Sequence, residues 1–152
     1  MDTTKVIAKL NDILRWEWTG VAQYAQHSFV VSGPWREVYA KMFSEGAEES
    51  FGHAKKIGDK IVGLGGVPTI ERAPVKQSDD LTEMLKIGLE FESTAVKLYC
   101  EALELAEDDP PLRVLLEDIV LEEQEGVEHI QKLLKSQDAA AGAKRPGATK
   151  AG

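Results

Sequence analysis

GGVPTIERAPVKQS, residues 65–78, is the longest break in helical patterning between the start of the chain and residue 137. Gly65-Gly66 stops whatever helix precedes it, and Pro68 and Pro74 keep the segment from forming one of its own. Three shorter sets of breakers occur: Ser32-Gly33-Pro34, Asp108-Asp109-Pro110-Pro111, and the stretch from Asp138 onward. Between them lie four segments of about thirty residues, each with apolar side chains every three to four positions, which is helical spacing. The first helix is expected from about Thr3 to Val31, with Leu10, Leu14, Val21, Tyr24 and Val31 on its stripe. The second begins with Pro34 in its first turn and runs to Leu64, with Tyr39, Met42, Phe43, Ile57, Ile61 and Leu64 inward. The third has Ser78 as N-cap, Asp79 and Asp80 in its first turn, and ends near Asp108; the fourth has Asp109 as N-cap, Pro110 just inside, and continues to about Gln137.

The links set the topology. Two are only a few residues long and join antiparallel neighbours. A helix of thirty residues is ~45 Å long, and the 65–78 segment, at ~3.3 Å per extended residue, just spans it. Helices two and three then run parallel, joined by a crossover on the outside of the bundle, with Val67, Ile70 and Val75 expected to pin it down. The fold class is therefore all-α: a four-helix bundle with one long crossover, the connectivity of ferritin-like folds.

The composition agrees. The chain has 152 residues, 26 of them Asp or Glu against 18 Lys or Arg, a net charge of −8, and 43% hydrophobic residues. That supports one domain with its own core, read as residues 1–137, followed by a flexible Ala/Gly/Lys-rich tail, 138–152. An acidic body argues against nucleic acid or an anionic membrane as main partner, even with Lys144, Arg145 and Lys150 in the tail. No apolar run approaches a membrane span, the first residues do not read as a signal peptide, and Cys100 is alone; the expected location is the cytoplasm.

The informative residues are polar ones on apolar stripes. Glu17 lies three residues after Leu14 and four before Val21; His53 lies four before Ile57; Glu92 lies three after Leu89 and four before Val96; His129 lies four before Leu133. Each helix thus directs one Glu or His inward. A buried carboxylate is costly unless it is paired or bound to a cation, and two carboxylates with two imidazoles suit a divalent transition metal. His27 reads as a surface or interface residue, Cys100 as a small core filler, Tyr24 as a core tyrosine, and the runs Glu48-Glu49 and Glu122-Glu123 as solvated faces.

The stretches KVIAKLNDILRWEWTGVAQYAQHSF, GHAKKIGDKIVGLGGVPTI, LTEMLKIGLEFESTAVKLYCEAL and LLEDIVLEEQEGVEHIQKLL cover most of residues 5–134. They resemble the ferritin-like di-iron family, bacterioferritins most closely, with GLGGVPTI and LEFE the more specific parts. The resemblance implies two irons in the bundle core, held by a Glu from each of two helices and a Glu-x-x-His from each of the other two. It places Glu17 and Glu92 on the single glutamates and His53 and His129 on the histidines. The glutamates three residues before each histidine are absent: Ser50 and Gly126 stand there. Glu49 and Glu125, each four before a histidine, supply substitutes if a π-bulge shifts them inward, with Glu122 in reserve. Alternatively the four inward residues bind a single metal, or the site is retired.

With two metals the resemblance implies a ferroxidase-type oxidoreductase, taking iron and O2 or peroxide and serving iron storage or detoxification. The alternative is a non-catalytic or altered-metal bundle acting through assembly. No catalytic residue beyond the metal ligands is expected. Bacterioferritins bind haem through a methionine, whose place here is taken by Phe51, so no haem is expected. The family's fifth helix is replaced by the Ala/Gly/Lys tail, which puts a full cage in question. A homo-oligomer, a dimer at least, is expected, with Trp16, Trp18 and Trp35 as candidate interface aromatics or, alternatively, packed under the crossover and the loop.

Overall fold

The computed structural model describes residues 1–143, with side chains through Lys135. Its elements are α1 (Thr3–Val30), α2 (Arg36–Gly63), α3 (Leu81–Leu105) and α4 (Pro110–Ala143). None of these helices is long and apolar enough to cross a membrane.

The helix ends follow local chemistry. Asp2 caps α1 by accepting from the Lys5 N–H at 3.2 Å. At the other end, the Arg36 guanidinium reaches back to the Ser28, Phe29 and Val31 carbonyls, placing a cation where the helix leaves carbonyls unpaired. Gly33, at φ 99°, makes the turn that only glycine makes without strain. Because Pro34 and Trp35 complete that turn, α2 starts at Arg36, two residues later than expected. Asp109 caps α4 as expected, accepting from the Leu112 N–H at 3.1 Å. The α3 cap is Asp80, which takes the Glu83 N–H at 2.9 Å, while the expected cap Ser78 accepts from Asp80 N–H and shapes the approach. The fourth helix runs to Ala143, six residues beyond its expected end at Gln137; residues 144–152 of the expected tail lie outside the described residues.

α1 packs antiparallel to α2, and α3 to α4. Lys9 pairs with Glu101 at 2.7 Å near one end, and Tyr24 lies against Gly88 towards the other, so α1 and α3 are also antiparallel. α2 and α3 are consequently parallel, as the crossover requires. The apolar core forms two clusters. One is centred on Leu10, Ile57, Tyr99 and Leu116, the other on Tyr24, Phe43, Leu85 and Ile130. The polar side chains described below lie between them.

The crossover is held by a means the sequence reading missed. Val67 and Ile70 are 82% and 91% exposed, so they do not pin it. Instead α1 holds it through polar side chains. Asn11 bonds the Val67 carbonyl and the Thr69 N–H, Trp18 Nε1 donates to the Thr69 carbonyl, and Thr19 Oγ1 accepts from the Ala73 N–H. Gln23 accepts from the Lys76 N–H at 2.8 Å and donates to its carbonyl at 2.6 Å. A proline-containing segment has backbone groups that no helix or sheet satisfies, and these side chains supply the partners.

Two further residues depart from expectation. His27 is buried, not at the surface: it accepts from the Gln23 amide at 2.9 Å and meets the Phe43 ring edge-on. Burial pulls its pKa down to about 4, so the ring is neutral. Cys100 is exposed, because it follows the inward Tyr99 by one residue and turns outward. Of the tryptophans, Trp16 stacks on Phe91 at 5.1 Å and Trp18 lies under the crossover, so only Trp35 is exposed.

Candidate metal centre

Glu17, His53 and Glu123 come from α1, α2 and α4, and are 0%, 1% and 3% exposed. His53 Nδ1 lies 2.9 Å from Glu123 Oε1 and 3.4 Å from Glu17 Oε1. Tyr99, from α3, donates its hydroxyl to Glu17 Oε1 at 2.6 Å, while Glu17 Oε2 is buried with no partner among the described residues. The other ring nitrogen faces outward: His53 Nε2 lies 2.6 Å from Glu122 Oε2 and 3.9 Å from Glu49 Oε1, both half-exposed carboxylates. Ligand atoms of Glu17, His53 and Glu123 all fall within 4.8 Å of one another, as do those of Glu49, His53 and Glu122.

Glu92 completes the layer from α3. Tyr24 donates to its Oε1 at 2.6 Å, and its carboxyl shares a hydrogen bond with Glu123. Burial, and then the bond and charge of Glu123, push Glu92 up to about 9, and burial also raises Glu123. For His53, burial alone would favour the neutral ring; hydrogen bonds to Glu123 and Glu17, with the Glu17 charge and Glu122, outweigh it and hold the imidazolium up to about 11. In the absence of a metal, an imidazolium supplies the positive charge that these carboxylates require.

The donor set fits a divalent metal. Two carboxylates and an imidazole converge on one point, and one carboxylate oxygen is buried without a partner. Of the expected ligands, Glu17 and His53 meet directly and Glu92 joins them through Glu123. His129 is exposed at a cavity of about 190 Å³ that Glu92, Gly126, Tyr24 and Glu49 also line. Glu125 is exposed, and Glu49 reaches only the outer nitrogen of His53; neither helix carries a π-turn there.

Glu123 is the residue the sequence reading missed, having placed it on a solvated face. It lies four residues after Ile119 and seven before Ile130, both buried, so the helical period directs it inward. His129 is one position before Ile130, about 100° away around the helix, and turns to solvent. Position 126 also changes role. A Cβ on Gly126 would sit 3.2 Å from Glu92 Cδ, so this position faces Glu92, one turn beyond the carboxylate that α4 does contribute. Each of α2 and α4 therefore keeps a different half of a Glu-x-x-His pattern: Ser50 with His53, and Glu123 with Gly126.

The ferritin-like domain family matches residues 7–139. The chain is 32% identical over 140 residues to a bacterioferritin of Rhodobacter capsulatus, covering 88% of this chain and 85% of that protein. Among solved structures, a ferritin-like diiron-carboxylate protein of Bacillus anthracis strain Ames superposes with a TM-score of 0.86 at 32% identity, over 88% of this chain and 98% of that one. R. capsulatus bacterioferritin, solved with a metal-free dinuclear site and haem iron, superposes with a TM-score of 0.81 at 29% identity, over 90% of this chain and 87% of that one. By sequence and by backbone, the chain belongs to the ferritin-like family.

Proposed function

We propose that this protein takes Fe(II) into the polar layer of its bundle and oxidises it to Fe(III), with O2 or peroxide as electron acceptor, in iron storage or detoxification. The observation that carries the reading is the convergence of Glu17, His53 and Glu123, with one oxygen of the Glu17 carboxylate buried and unpartnered among the described residues. Hard carboxylate oxygens favour the ferric state, which makes oxidation downhill.

The chain's own groups prepare the site. Tyr99 and Tyr24 orient Glu17 and Glu92. His53 gives up its inner proton when Nδ1 becomes a ligand, while its outer N–H stays on Glu122, fixing the ring orientation. Glu49 and Glu122 are half-exposed beside that nitrogen and offer a cation its first carboxylates on the way in. Phe51, exposed and without a ligating atom, supports a protein without haem. Phe29, Phe51, Val62 and Ile70 are exposed along the outer side of α1, α2 and the crossover, and support self-association there.

The test is anaerobic Fe(II) loading followed by admission of O2 or peroxide, with ferric absorbance as the readout. Wild type should oxidise iron, and Glu17→Ala and His53→Ala should not. Equal rates in all three would remove the reading. The second reading, a bundle that binds metal or assembles without oxidising iron, is favoured by the two half-patterns at Ser50 and Gly126. Metal binding without oxidation would select it.

A further inference from the structure

We infer that the bundle holds one transition-metal ion, at Glu17, His53 and Glu123, and lacks a competent second position beside Glu92. The inference rests on the metal-binding part of the proposed function and sharpens it.

The first position is complete in kind. It has two carboxylates and one imidazole nitrogen, from three different helices, all buried, with Tyr99 fixing Glu17 and one Glu17 oxygen unpartnered. A mixed nitrogen and oxygen set of this type holds divalent transition metals well.

A second ion would have to sit between Glu123 and Glu92. From α4, the position facing the Glu92 carboxylate is Gly126, which brings no donor. From α2, the residue three before His53 is Ser50, which brings only a hydroxyl, and that hydroxyl lies beside Gly20 and Phe91. Gly20, Ser50 and Phe91 meet at one point: a Cβ on Gly20 would lie 2.3 Å from Phe91 Cζ and 2.5 Å from Ser50 Oγ. Glu92 Oε1 is already engaged by Tyr24. His129 lines the adjoining cavity but is exposed, and no hydrogen bond joins it to Glu92 or Glu123 among the described residues. What remains is a set of carboxylates without nitrogen, Glu92, the half-exposed Glu49 on the same cavity, and Glu123, which is shared with the first ion; that is a weak set for a transition metal beside an occupied neighbour.

The deciding experiment titrates the full chain with Co(II) under argon, counts bound metal after desalting, and follows the visible ligand-field bands. Wild type should bind one Co(II) per chain. His129→Ala should still bind one, and His53→Ala none. Gly126→His, which places an imidazole against Glu92, should bind two and add a second set of bands. Two Co(II) in wild type would overturn the inference, with a fall to one in His129→Ala making His129 the second nitrogen donor and no such fall pointing to Glu49 and Glu122 at the outer nitrogen of His53. No Co(II) in wild type would overturn both the inference and metal binding in the proposed function. One bound Co(II) without Fe(II) oxidation would keep the inference and remove the ferroxidase reading.

Discussion

Nδ1 of His53 lies 2.9 Å from Oε1 of Glu123, a buried contact that joins α2 to α4 where the two apolar clusters leave a polar gap. The ring neutralises carboxylates on both sides, Glu17 and Glu123 within and Glu122 without.

Replacing His53 by Ala should therefore cost more than a ligand. The buried carboxylates lose their counter-charge, and breaking a buried pair typically costs about 3–5 kcal/mol. Urea denaturation of the metal-free variant at pH 7 should show a loss of that order, partly recovered at pH 5 where the carboxyls take up protons. An unchanged midpoint would mean that the contact is not a charge pair.

Metal binding should release protons. His53 is held up at about 11, so at neutral pH its inner nitrogen carries a proton that a metal must displace. Calorimetry in buffers of different ionisation enthalpy should show net proton release, with apparent affinity rising as pH rises. The metal-free protein should behave oppositely. A histidine whose folded pKa is raised contributes stability that is full below about 6.5 and is lost as pH climbs towards about 11.

Tyr99→Phe deletes the hydroxyl that orients Glu17 without changing the ring. Losing a hydrogen bond to a buried carboxylate should cost the metal-free protein about 2 kcal/mol. Metal affinity should fall on the order of tenfold, because a misaligned ligand binds less well. Denaturation midpoints and Co(II) titration read the two effects separately.

His27 sets the acid limit in the opposite sense. Burial pulls its pKa down to about 4, so between that value and about 6.5 the unfolded chain binds a proton that the folded chain refuses. Stability should be full above pH 6.5 and fall as pH drops towards 4, by on the order of 3 kcal/mol. His27→Leu should flatten the slope in that window, as followed by denaturation at a series of pH values.

Much of the fold was legible because glycine, proline and capping residues act locally. Gly65-Gly66 ends α2, Asp109 caps α4, and the length of 65–78 alone demands a crossover. Asp80 took the cap expected of Ser78 because two adjacent residues offer the same acceptor, and the approach of the chain chooses between them. The attachment of the crossover was not legible, since its partners Asn11, Thr19 and Gln23 sit on a different element and read as ordinary helix polar residues. In the site, Glu17 and His53 followed from their stripes. His129 was misplaced by one position around α4: ten residues after Ile119 and four before Leu133 puts it near the stripe, but Leu133 is only partly buried and marks the stripe's edge. Counting from Ile119 and Ile130 together selects Glu123.

The polar ladder between α1 and the crossover also acts as a ruler for the bundle. Gln23 grips both backbone groups of Lys76, and Gln23 lies on the same helix as Glu17 and Tyr24. The distance from that grip to the start of α3 is then a fixed count of residues, Lys76 to Leu81. Removing one residue between them would draw α3 along its axis by up to ~3.3 Å, enough to take Glu92 out of reach of the Tyr24 hydroxyl. Side chains in the link are free to vary, as exposed Ile70 illustrates, but its length past Lys76 is tied to the alignment of carboxylates several turns away.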